Sequence, residues 1–314
     1  LSLTGEGVQA RRAALARVDS AESWLHRTEL QVAHAARSSY VDAVVALRVA
    51  DVAEQGLELA TRLHAAVLKL HDEGEASMLD VNLAQLARAQ AASRLLAARE
   101  SEGELLAVLA GLIVQGLTRS SLIADLDALA PAPSSPSPVR SDVVAAEASL
   151  LAAERELTTQ RAASVPPVGL GARVETQGGV TTVGPALTVE LPLFDRNQAG
   201  RGHATGQVRV AEARLAETRA VAATEQVTTR DRDALAQETL RSIGADPIEA
   251  AIMALASVES GYLAGEIDLT STVLLQAQIL DGEIAVVELE GHVARARLDL
   301  LLATDDTALL GGAR

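Results

Sequence analysis

The sequence predicts a mainly α protein with a small β part, built from long coiled-coil helical hairpins. Three observations carry this prediction. Only Val165 to Ala204 shows the period-two alternation of strands. Almost everything else is rich in alanine, with apolar residues at helical spacing and few helix breakers. The arrangement also recurs, because Gly74-Glu75 and Gly265-Glu266 interrupt two similar long runs at equivalent places. Such self-similarity decides architecture. The expected organisation is therefore a first repeat over 1–164 and a second over 165–314.

Taken in order, Leu1–Gly7 reads as the end of a strand. From Ala10 to about Leu70 there is no Pro and one Gly, Gly56, while Val41, Val44, Val45, Val52, Leu63, Val67 and Leu70 recur at helical spacing. A helix of roughly 60 residues would span about 90 Å. That is far beyond an ordinary globular helix and implies coiled-coil-like packing with partner helices. His71 to Asp80 interrupts it, with Gly74 as the break and Ser77 as a cap for a second helix reaching about Leu112. Pro131 to Pro138 is a Pro/Ser linker. Arg140-Ser141-Asp142-Val143 then opens another helix, up to Ser164.

The second repeat begins with a hairpin over 165–194. Val168, Leu170, Ala172 and Val174 alternate with Gly169, Gly171, Arg173 and Glu175, and Leu187, Val189 and Leu191 alternate with Ala186, Thr188 and Glu190. Gly178-Gly179 lies in the loop between them. Pro192 ends the ladder, and Asp195 or Asn197 can cap the following helix. A long helical hairpin over 195–304 follows, with a break at Gly244 to Pro247, and a short tail closes the chain. Each strand run is about as long as a tilted strand needs to cross a bilayer.

Composition narrows the function. The chain has 314 residues, 48% hydrophobic, with a net charge of −15. An acidic balance argues against nucleic acid, whose partners carry a basic face. There is no Cys, hence no disulfide framework and no thiol chemistry. No stretch has the roughly 18 uninterrupted apolar residues of a membrane helix, whereas a barrel carries a weaker signal and stays allowed. The six His (His26, His34, His64, His71, His203, His292) form no metal-binding motif, although His64 and His71 lie two turns apart on one helix. No nucleophile–base set and no phosphate loop is present, so the sequence predicts no enzyme, no metal and no cofactor.

The run Gly184 to Gly200, GPALTVELPLFDRNQAG, resembles the second-hairpin signature of TolC-like outer-membrane efflux proteins. Within that family it is most similar to the outer-membrane subunits of heavy-metal pumps. Arg140-Ser141-Asp142-Val143 resembles a family element in which Ser141 replaces a Pro. The resemblance covers nearly the whole chain. It implies a homotrimer whose chains share one transmembrane β-barrel, continued by a periplasmic α-barrel. Physics agrees on the sharing: a barrel in lipid must close, and two strands cannot close one. By the same resemblance the chain lacks the family's first helix and most of the first strand pair, and reads as a fragment or processed form beginning late in the second strand. Transmembrane barrels also carry aromatic girdles; Phe194 is the one aromatic residue near the hairpin.

The resemblance further implies a passive, gated exit duct in the outer membrane of a Gram-negative bacterium. Its partners would be a periplasmic adaptor and an inner-membrane RND-type pump. Gly74, Glu75, Ala76, Ser77 and Leu79, with Gly265, Glu266, Ile267 and Leu269, would form the adaptor-docking tips. Asp80 and Tyr262 match a carboxylate and a phenol that link the two hairpins of a closed subunit. Asp268 would add a negative ring, while Ser271 and Leu274 stand where some relatives place an aspartate ring. Arg173 and Glu175 would face the barrel lumen. Heavy-metal cations are the favoured cargo; drug efflux and type I secretion are the alternatives. A soluble coiled-coil scaffold, its hairpin only a packing arm, is the rival of another class.

Overall fold

The computed structural model describes residues 6–112, 119, 122, 125–134, 137, 139–163, 168–189, 196–244 and 247–310. The expected strand residues Leu1–Gly5, the Leu191-Pro192-Leu193-Phe194-Asp195 part of the hairpin signature and the tail beyond Leu310 lie outside them. The elements run α1 (Glu6–Asp72), α2 (Met78–Leu112), α3 (Leu126–Leu129), α4 (Ser141–Ala162), β1 (Val168–Gln177), β2 (Val180–Val189), α5 (Gln198–Ser242), α6 (Pro247–Leu263) and α7 (Leu269–Ala303), then a 3-10 turn, Thr307–Leu309. Two expectations shift. Glu6 and Gly7, expected at a strand end, are the first residues of α1. The second strand starts at Val180 rather than near Ala186, because Gly178 (φ 61°) and Gly179 (φ 90°) reverse the chain in two residues.

The chain divides into two compact units, Leu1–Leu30 with Ser137–Gln226, and Gln31–Pro136 with Val227–Arg314. Each takes segments from both halves of the sequence.

In the first unit, α4 lays Val143, Ala146 and Leu150 against Leu215 and Ala222 of α5. Alanine at the seam permits close approach, and Ser20 of α1 uses it: its Oγ donates to the Ala145 carbonyl at 3.0 Å. Arg140, 3% exposed, holds Asp142 and Glu225 together. A buried guanidinium with two carboxylates is expensive to break, since the orphaned charge would remain inside. The start of α5 shows why the motif needs a glycine. Asn197 adopts φ 55° and its Nδ2 donates to Gln160 Oε1 at 2.7 Å and to the Gln160 carbonyl at 3.0 Å. A Cβ on Gly200 would collide with the Asn197 side chain and sit 2.6 Å from Gln160 Oε1.

In the same unit β1 and β2 form a two-stranded antiparallel sheet, from Val168 opposite Val189 to Gln177 opposite Val180. Ala172, Val174, Val183, Pro185 and Leu187 fall on one face, and Gly171, Arg173, Glu175, Thr182 and Gly184 on the other.

The second unit is held by α7 against α1. Arg48 pairs with Glu290, Arg295 with Asp42, and His34 with Asp299 at 2.8 Å. Gly291 lets the helices touch, because a Cβ there would overlap Val45. The buried Asp306 accepts from the Ser134 amide and from the Ala308 amide, both at 2.9 Å, tying the Pro/Ser linker to the end of the chain. The buried Glu102 is held by Arg99 and Arg119, and Arg119 also reaches Asp51.

Candidate functional site

Two turns in the second unit gather most of the residues singled out from sequence. The first joins α1 to α2. Gly74 (φ 81°) accepts the left-handed conformation that ends α1, so the Gly74 amide donates to the His71 carbonyl at 2.9 Å and the Glu75 amide to the Leu70 carbonyl at 2.8 Å. The second joins α6 to α7 with the same pattern. Gly265 (φ 73°) donates to the Tyr262 carbonyl at 3.0 Å and Glu266 to the Gly261 carbonyl at 2.8 Å. Both are Schellman closures, which need a residue free of a Cβ at the left-handed position.

The helix after each turn is capped by a Ser–Asp pair. Ser77 Oγ accepts from the Asp80 amide at 3.2 Å, while Asp80 Oδ2 accepts from the Ser77 amide at 2.9 Å and the Ser77 hydroxyl at 2.7 Å. This is a reciprocal capping box with Asp at its far end. Asp268 Oδ1 accepts from the Ser271 amide at 2.9 Å and Oδ2 from the Ser271 hydroxyl at 2.6 Å. These bonds stabilise the ionised forms and hold both carboxyls below the usual aspartate range.

Beneath the turns lies a core of Leu63, Val67, Val81, Ala84 and Leu269, with Ala76, Leu83, Tyr262 and Val273 packed on it. Leu269, expected on the docking surface, is 6% exposed and belongs to this core. Leu79 is 66% exposed, and Gly74, Glu75, Ser77, Gly265 and Glu266 are also at the surface, while Ala76 and Ile267 are half-buried. Three exposed apolar side chains enlarge this surface: Leu274, which stands where some relatives place an aspartate, and Met78 and Leu263, which nothing in the sequence singled out. Their helical runs read as core positions, and only the packing shows which face is left over.

Tyr262 is half-buried. Burial, then the nearby Asp80 charge, raises its phenol above the ordinary value, so the hydroxyl remains a protonated donor. Asp80 is thus close enough to act on Tyr262 while its hydrogen bonds go to Ser77. His71, at the matching place in the first turn, is within 2.8 Å of the Ala76 carbonyl through Nδ1. His64, two turns back, has no part in that contact.

The hairpin is the second feature. Each strand has 10 residues, the span of a tilted bilayer-crossing strand. Val174 and Leu187, on its apolar face, are 64% and 67% exposed. A two-stranded sheet in water is marginal, so an exposed apolar face of this length asks for cover. Arg173 Nε and Glu175 Oε2 pair at 3.6 Å on the opposite face, in the open. No described helix is long and apolar enough to cross a membrane.

The sequence matches no family profile and no curated protein. Solved structures do match. The outer-membrane channel OprN is 20% identical with a TM-score of 0.77, covering 98% of this chain and 74% of its own. VceC, an outer membrane protein of Vibrio cholerae, is 20% identical with a TM-score of 0.78, covering 97% of this chain and 77% of its own. CusC, described for folding and transmembrane channel formation, is 15% identical with a TM-score of 0.81, covering 96% of this chain and 74% of its own. The chain has the fold of these channel proteins, mainly helical with few strands, as its sequence predicted.

Proposed function

We propose that the chain is the outer-membrane channel subunit of a tripartite efflux system, a passive duct and not an enzyme. The observation that carries this reading is the hairpin: strands of bilayer length, polar on one side, apolar and uncovered on the other. The fold shared with outer-membrane channels supports it. In this reading three copies close one barrel in the outer membrane of a Gram-negative bacterium. The apolar face meets lipid, and Arg173 and Glu175 face the lumen. The two repeats, 1–164 and 165–314, each bring one helical-hairpin tip into the periplasm.

The tips dock a periplasmic adaptor that leads to an inner-membrane pump. The exposed Met78, Leu79, Leu263 and Leu274, flanked by Glu75 and Glu266, give that adaptor an apolar patch with an acidic rim. Asp80 and Tyr262 restrain the closed tip, and Asp268 with Ser271 lines the entrance. Asp268 is ionised at neutral pH and favours cations there. Heavy-metal cations are the cargo this reading favours, on the resemblance of Leu191 to Gly200 to the metal-pump branch.

Mass measurement after mild-detergent extraction of the expressed full-length gene product tests the reading. A trimer in the outer-membrane fraction is expected. A chain that stays soluble without detergent as a monomer or dimer would instead support a coiled-coil scaffold. Cargo is read separately, by whether loss of the gene sensitises cells to metal cations or to drugs.

A further inference from the structure

Glu283 lies on the inner face of α7, 5% exposed. Its Oε2 is buried and has no hydrogen-bond partner among the described residues. An unpaired buried carboxylate is costly, which favours the neutral, protonated form over the ionised one. The same face of α7 is apolar one turn earlier, where Leu280 packs with Val52 and Leu59 of α1 and Leu255 of α6. Val286 and Val287 are buried just beyond. The helices are also close, since a Cβ on Gly56 would meet Leu280 Cδ1 at 3.0 Å. With the helices packed this way, Oε2 is closed to water.

The charges on the surrounding elements are committed elsewhere. Arg48 of α1 is the cation that acts on Glu283, and it already holds Glu290 at 2.5 Å. Glu54 of α1 holds Arg99 of α2, Arg94 of α2 holds Asp281, and Glu259 of α6 pairs with Arg62. Glu249 of α6 is exposed. Desolvation outweighs Arg48 and pushes the carboxyl above the usual glutamate range.

We propose that Glu283 is a proton-operated brace: protonated, it lets α7 close on α1 and α6; ionised, it loosens that seam. The sign follows from linkage. The folded chain keeps a proton that the unfolded chain gives up, so stability from this group is greatest below the unfolded value. It falls as pH rises through the folded one. This is opposite to Asp80 and Asp268, whose contributions are lost on acidification. The brace acts on the helix that begins at Leu269, beside the second turn, and it stands whether or not the channel reading does.

The test is the thermal midpoint of the full chain from about pH 5 to about pH 8, for wild type and Glu283→Gln. The wild-type midpoint should fall toward pH 8 by a few degrees more than that of the variant. Amide exchange along 280–290, corrected for intrinsic rates, should quicken at the higher pH in wild type only. Glu283→Met, neutral and of similar length, gives the same comparison if Glu283→Gln does not fold. Parallel pH curves for wild type and either variant overturn the proposal.

Discussion

At the turn after α1, Ser77 stands at the cap and Asp80 reaches back; at the turn after α6, Asp268 stands at the cap and Ser271 reaches back. The same exchange occurs one layer down. In the first turn the Ala76 amide donates to the Leu70 carbonyl, and in the second the Ile267 amide donates to that of Gly261, so a large and a small residue trade places. There Ile267 covers Gly261, its Cδ1 2.8 Å from where a Cβ would sit. What the two turns share is the pair, not the position. A hydroxyl meets a carboxylate across the first helical turn, and one large and one small residue flank the reversal. Either member can supply either part.

Replacing the two left-handed glycines breaks this comparison most severely. A Cβ at Gly74 or Gly265 would meet nothing within 4 Å, so the penalty of Gly74→Ala or Gly265→Ala is purely that of the backbone. Each should cost about 1–2 kcal/mol, read as a shift in denaturation midpoint. Equal losses sustain the equivalence. A loss at one turn alone would show that the other has a second way to close.

Exchanging the caps sharpens it. Ser77→Ala should cost about 1 kcal/mol. Ser77→Asp alone sets two carboxylates together and should destabilise, while Ser77→Asp with Asp80→Ser copies the second turn and should recover most of the loss. The acid limb gives an independent reading. Both aspartates are held below their ordinary value, so their contribution is present above the unfolded value of about 4 and fades as pH falls through the folded one. Ser271→Ala should flatten that limb, and an unchanged slope would mean the cap does not couple to folding.

The same contrast explains what was legible in the sequence. Gly74, Gly265, Gly178 and Gly179 were readable because a left-handed φ leaves few alternatives to glycine. The hairpin faces were readable because side chains alternate strictly along a strand, and Ser77 because caps are local. Leu269 was not: the pattern marks it as apolar, and only its packing on Leu63 and Val67 separates core from docking surface. Nor were the Arg140–Glu225 and Asp306–Ser134 contacts, which join residues far apart in sequence. Gly200 was visible as part of a motif, yet its reason, the Asn197–Gln160 clasp, depends on a helix that ends before the hairpin begins.

The smallest expected effect separates packing from gating. His71 and Tyr262 hold matching positions, and only Tyr262 joins the apolar core beneath the turns. Tyr262→Phe keeps the ring in that core and removes only the hydroxyl, so stability should change by no more than about 1.5 kcal/mol. Leak conductance of the reconstituted channel should nevertheless rise, because the protonated phenol is the donor available to a carboxylate across the tip. Asp80→Asn should raise leak too, but with a visible loss of stability, since it also weakens the cap on Ser77. If Tyr262→Phe leaves the closed state unchanged while Asp80→Asn opens it, the restraint is the helix cap itself, and Tyr262 serves packing alone.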